Sequence, residues 1–168
     1  YKNELYIAAE SFNGSTGKNI QIGIFDADTL EWKRSFPFEE ESGMEECSGI
    51  AVNPDNGTLW MCSWAEGESG RYLYQYDLNT GDYLGKVEMI TPPARIQGMA
   101  YYDGSFYLSA DDGEADENEP DHLYRTTIEY RKDSCAVLPE RVFDDVTRQG
   151  EIEGLTFDRR NKRLLLLT

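Results

Sequence analysis

Seven carboxylates crowd into one short stretch of this chain, "DDGEADENEPDH", running from Asp111 to His122. Hard oxygen donors at this density suit calcium, which accepts about six to eight of them in flexible geometry. The glycine and the closing glutamate fall wrongly for an EF-hand loop, so the stretch offers Asp111 and Asp112 as metal donors without defining a cage. Without a cation, the carboxylates repel one another and the loop stays solvated. His122 is the single histidine, and it has no recognisable Ser or Cys nucleophile to partner it in acyl transfer. Cys47, Cys62 and Cys135 lack CxxC spacing and read as small buried hydrophobes rather than zinc ligands.

A second set of polar residues is dispersed along the chain. Ser48, Gln97 and Glu153 each precede a glycine, and Glu46, Arg95 and Glu151 stand two positions before them. Whether these six meet depends on the elements that carry them. Aligned on the glycine, "SGIAV", "QGMAY" and "EGLTF" are runs of high strand propensity. Each leads into a polar turn, "NPDNG", "YDG" or "DRRNK", and then into a second strand, "TLWMCSW", "SFYLSA" or "RLLLLT". The opening "NELYIAAE" matches the second strand. Two further strands follow in each period, and "QIGIFDADTLEWKRSF" aligns with "YLYQYDLNTGDYLGKV" so that Asp26 meets Asp77 and Thr29 meets Thr80.

Four antiparallel strands recurring roughly every 50 residues, with no helical periodicity, predict an all-β fold. The expected architecture is a β-propeller of four-stranded antiparallel blades. The chain would supply about three and a quarter of them: three strands in 1–36, a complete blade in 48–89, another in 97–143, and two strands in 152–168. The remaining blades would come from a longer chain or another copy, since propellers close with roughly four to eight. Along the second strand, Leu59 and Met61 point one way and Trp60 and Cys62 the other, so both faces of that blade should be covered. In this geometry Glu46, Ser48, Arg95, Gln97, Glu151 and Glu153 ring the mouth of a central channel.

Up-and-down strands send alternate connections to opposite ends. Segments 10–18, 37–48, 63–71, 90–97, 110–122 and 144–153 should share one end, with the short hairpins at the other. Those six segments hold 19 of the 32 acidic residues and 4 of the 16 basic ones. Nearly all of the net charge of −16 therefore belongs to one face. Such a charge repels nucleic acid and anionic membrane surfaces. No apolar run reaches the roughly 18 residues of a membrane span, and the first residues do not read as a signal peptide. Asn13-Gly14-Ser15 and Asn56-Gly57-Thr58 match glycosylation sequons, although Asn-Gly is first a turn signal. Arg159, Arg160, Lys162 and Arg163 read as a solvated turn.

"EIEGLTFDRRNKRLLLLT" and "SGIAVNPDNGTLWMCS" resemble blade openings in the SdiA-regulated family, in NHL-repeat proteins, and in calcium-dependent lactonase and phytase-like propellers. In the lactonase relatives, carboxylate and amide side chains at the channel mouth hold calcium. The resemblance carries that role to Glu153, while Ser48 and Gln97 depart from the pattern. It implies calcium as a cofactor of a hydrolase of lactonase, esterase or phytase-like type, and slightly favours an extracytoplasmic location. Taken with the departures, the residues point first to a noncatalytic module that presents its acidic, loop-rich face to a protein or small-molecule ligand.

Overall fold

The computed structural model describes residues 1–12, 17–37, 40–113, 119–131, 134–146 and 152–167. Its strands are β1 (Glu4–Phe12), β2 (Gly17–Asp26), β3 (Trp32–Phe36), β4 (Cys47–Asn53), β5 (Thr58–Ser63), β6 (Tyr72–Asp77), β7 (Tyr83–Met89), β8 (Ile96–Tyr102), β9 (Ser105–Ala110), β10 (Asp121–Arg131), β11 (Ser134–Val146), β12 (Leu155–Asp158) and β13 (Arg163–Leu166). Helical structure among the described residues is confined to 3-10 turns at Glu40–Ser42 and Ser69–Arg71.

Aspartate side chains set several of the tight turns. Asp26 Oδ1 accepts the amides of Asp28 and Thr29, and Asp77 Oδ1 accepts those of Asn79 and Thr80. Asp158 does the same for Arg160 and Asn161 between β12 and β13. Each carboxylate satisfies amides that a reversing chain withdraws from the ladder; those amides hold Asp26 and Asp77 below their ordinary pKa, and at Asp158 the Asn161 side chain does so first, with the backbone amides behind it.

The strands pair antiparallel in chain order as β1-β2-β3, β4-β5-β6-β7, β8-β9-β10-β11 and β12-β13. One pairing breaks the pattern. Glu88 and Met89 of β7 pair in parallel with Ala136 and Val137 of β11, so the two four-stranded runs join into a single eight-stranded sheet. The sequence gives no hint of this bridge. An outer strand carries unpaired backbone groups on its free edge, and the long β10–β11 hairpin reaches far enough to meet them.

The β4–β7 sheet is covered on both faces, as its alternation predicts. Leu59, Met61, Tyr74 and Tyr76 pack with Ile22, Ile24 and Phe36 of the preceding unit. Trp60, Cys62 and Leu73 pack on the other side with Met99, Phe106 and Leu108 of the following one. All six residues of β5 are buried. Burying a side chain of this size contributes roughly 1.5–3 kcal/mol, so β5 anchors the stack from both sides.

Glycines set the closest approach between units. A Cβ on Gly49 would lie 2.8 Å from the Met99 amide nitrogen, and one on Gly98 would lie 2.9 Å from the Gly154 Cα. The three glycine-led strands therefore lie side by side and in register. Ile50–Val52, Met99–Tyr101 and Leu155–Phe157 line one cavity of about 320 Å³, closed on a further side by Glu4–Tyr6 of β1. The architecture is propeller-like: antiparallel sheets stack face to face, and their first strands turn toward a shared space.

Candidate functional site

The start of each glycine-led strand is irregular in a repeated way. The β4–β5 register slips between Cys47 and Gly49, and the β8–β9 register slips between Ile96 and Gly98. Ser48 and Gln97 are thus the extra residues of two β-bulges, devices that re-aim side chains at sheet ends. Just before each bulge stands a non-glycine residue in the left-handed region, Glu46 and Arg95, both at φ 49°. Such a conformation is costly for these residue types and persists only where surroundings enforce it. The enforcement is the same in both copies: Glu46 accepts the Trp64 amide at 2.9 Å, and Arg95 accepts the Asp111 amide at 3.0 Å.

In the third copy Glu153 and Gly154 likewise share one partner across the ladder. Glu153 donates its amide to Leu167, which donates back to Gly154. Glu153 is exposed, and its carbonyl accepts the Ser109 hydroxyl at 2.6 Å. Glu151 lies outside the described residues. The glycine contacts therefore bring Ser48, Gln97 and Glu153 to the same end of three adjacent strands. Glu46 is turned inward and buried, and Arg95 is directed to the acidic loop.

That loop is described at 111–113 and from 119 onward. The Arg95 guanidinium donates to the carbonyls of Asp111 and Gly113 and lies 3.8 Å from the Asp111 carboxylate. Buried Asp121 accepts the Gly113 amide at 3.3 Å. His122 Nδ1 sits 2.7 Å from one oxygen of Asp112, and the Tyr124 hydroxyl donates to the other. The sequence reading missed this cluster, although His122 and Tyr124, two apart on β10, necessarily share a face. Both oxygens of Asp112 are engaged by neighbours, and Asp111 faces the Arg95 guanidinium. Among the described residues, no three His, Cys, Asp or Glu side chains converge closely enough to hold a metal ion.

Two further features were invisible in the sequence. The Glu10 carboxylate, from the end of β1, accepts the Cys47 amide at 3.1 Å. Partial burial raises its pKa, the Cys47 amide opposes that, and nearby Glu46 raises it further. A serine relay ties two acidic loops together. Ser69 accepts the Glu45 amide at 2.9 Å and donates to Ser63, Ser63 donates to the Glu45 carbonyl, and the Tyr74 hydroxyl donates to the Ser69 carbonyl at 3.0 Å. Burial pushes the Tyr74 phenol up to about 12, so it remains a donor. Around this fixed base Glu40, Glu45, Glu66 and Glu68 are exposed.

The loop assignment needs one correction. Segment 10–18 is mostly strand, with β1 running to Phe12 and β2 beginning at Gly17. Part of 144–153 likewise belongs to β11. The long connections at this end are therefore described over 37, 40–46, 64–71, 90–95, 111–113 and 119–120. No described helix is long and apolar enough to cross a membrane.

No protein-family model matches this sequence, and no curated protein matches it either. Solved structures do resemble it. Kuenenia stuttgartiensis hydrazine synthase superposes with a TM-score of 0.60 at 17% identity, covering 98% of this chain and 46% of that one. A structural-genomics protein of unknown function from Bacteroides thetaiotaomicron superposes with a TM-score of 0.59 at 12% identity, covering 98% and 39% respectively. At these identities the likeness is one of fold alone. The chain spans less than half the length of either structure.

Proposed function

We propose that this chain is a β-propeller binding module whose acidic, loop-rich end receives a cationic partner, a protein segment or a smaller ligand. In this reading β4–β7 and β8–β11 are complete blades, β1–β3 are three strands of another, and β12–β13 open a fourth. The carrying observation is the in-register stacking of Gly49, Gly98 and Gly154. It supports a common axis, at one end of which the bulged residues Ser48 and Gln97 lie beside Glu153. The long acidic connections leave from that same end. Their bases are held by the Ser63–Ser69–Tyr74 relay and by Arg95, so the charges are presented on a fixed scaffold, which limits the ordering cost of binding.

A lysine-rich peptide tests the reading. Binding to the full-length protein is expected to weaken steeply as salt rises. Replacing Glu40, Glu45 and Glu66 together by Lys should abolish it. Reversing Asp28, Glu31 and Asp82, in hairpins at the opposite end, should leave it nearly intact. Equal losses from the two triple variants would show that overall charge, not this face, attracts the peptide.

A further inference from the structure

A second cavity, of about 480 Å³, lies at the opposite end of the molecule from the acidic loops, between the β4–β7 and β8–β11 units. Its size falls within the roughly 300–1,000 Å³ typical of small-ligand pockets. Its lining is unusual for this chain. Charged residues make up 29% of the sequence, yet none of the ten described residues lining the cavity carries a charge. Asn53 and Gln75 contribute amides, Ser105 and Thr127 contribute hydroxyls, and Trp60 and Val87 contribute apolar surface.

Asn53 is the most constrained of these. It closes β4, and its Oδ1 accepts the Asp55 amide at 3.0 Å, which fixes which side of the amide faces the turn. Asn53 is 6% exposed and still lines the cavity. Asp55, the nearest carboxylate in sequence, is taken up by the Tyr101 hydroxyl at 2.5 Å rather than lining the cavity itself.

We infer that this cavity binds a neutral saccharide. Amide and hydroxyl side chains both donate and accept, which matches vicinal hydroxyls that do the same. The Val87 and Ile128 side chains offer aliphatic surface to the C–H face of a sugar ring. Trp60 packs tilted against Phe106, with ring centroids 5.1 Å apart, so its face is already covered and no aromatic platform is open for a stacked base. An anionic ligand would find no cation among the described residues of the lining.

The test is a chemical-shift titration of the full-length protein with maltose, cellobiose and N-acetylglucosamine. Glucose 6-phosphate and a capped alanine tripeptide serve as contrasting probes. Saturable shifts are expected at Asn53, Gln75 and Thr127 with at least one neutral sugar. Gln75→Ala and Thr127→Ala, both at positions that are not fully buried, should each weaken that binding about tenfold without moving the thermal midpoint. The inference is overturned by the absence of saturable shifts from every neutral sugar at about 10 mM. It is equally overturned by binding that survives both substitutions, or by tighter binding of the phosphorylated sugar or the peptide.

Discussion

Two glutamates of β1 sit in opposite environments, and the difference sets how each answers pH. Glu4 receives both guanidinium nitrogens of Arg34, at 2.6 and 3.0 Å, and the Lys33 ammonium at 2.9 Å. The Arg34 hydrogen bonds, followed by the one from Lys33, hold its carboxyl far below the usual range. Its contribution is therefore present above the unfolded-state pKa and is lost as pH falls through the lower folded value. Glu10 is the reverse case, raised by burial and by Glu46. It favours folding most when protonated, and that contribution is lost as pH rises through its elevated value. Denaturant melts across pH should separate the two. Glu4→Gln is expected to cost about 1 kcal/mol at neutral pH, with the deficit shrinking in strong acid. Glu10→Gln, which keeps an acceptor for the Cys47 amide, is expected to stabilise at neutral and alkaline pH and to match the wild type in acid. A Glu10→Gln variant less stable at neutral pH would show that the charge itself is needed there. Neither environment was legible in the sequence, because Arg34 reaches Glu4 through the strand order of one sheet and Cys47 reaches Glu10 only where one sheet packs against the next.

At the scale of elements, the repeat was legible because strand propensity, turn chemistry and period agree on it, and the glycines mark where strands crowd. What the glycine alone could not tell is what it crowds against. A Cβ on Gly98 would meet the Gly154 backbone at 2.9 Å and the Ser109 hydroxyl at 3.0 Å. One on Gly49 would meet Cys62 Sγ at 2.6 Å and the Met99 backbone at 2.8 Å. Neighbouring backbone cannot yield as a flexible side chain does, so Gly49→Ala and Gly98→Ala are each expected to cost about 1–3 kcal/mol. Ser48→Ala, at a bulge, should stay within about 0.5 kcal/mol. Urea midpoints check this, and an alanine tolerated at both glycines would mean that the units are not packed at this distance. The bulges at Ser48 and Gln97 and the parallel β7–β11 bridge escaped the sequence because each depends on which backbone groups lie unpaired once strands have assembled.

Across the whole molecule, a net charge of −16 concentrated toward one end stores electrostatic repulsion that salt should relieve. The thermal midpoint is expected to rise as sodium chloride is added from low ionic strength. The rise should flatten in the variant carrying Lys at 40, 45 and 66. An unchanged salt response in that variant would show that repulsion among these loops is not what limits stability. Composition and the repeat together determined the all-β class, the strand sequence along the chain, the double-sided burial of β5 and the end to which acidic loops depart. These follow from local propensity and from the alternation of strand direction, both of which are written residue by residue. Only the tertiary structure decided that Arg95 clasps the acidic loop, that His122 and Tyr124 occupy Asp112, and that an uncharged cavity opens between two units. Those contacts join residues far apart in the chain, or fix side-chain directions, through packing that no local pattern encodes.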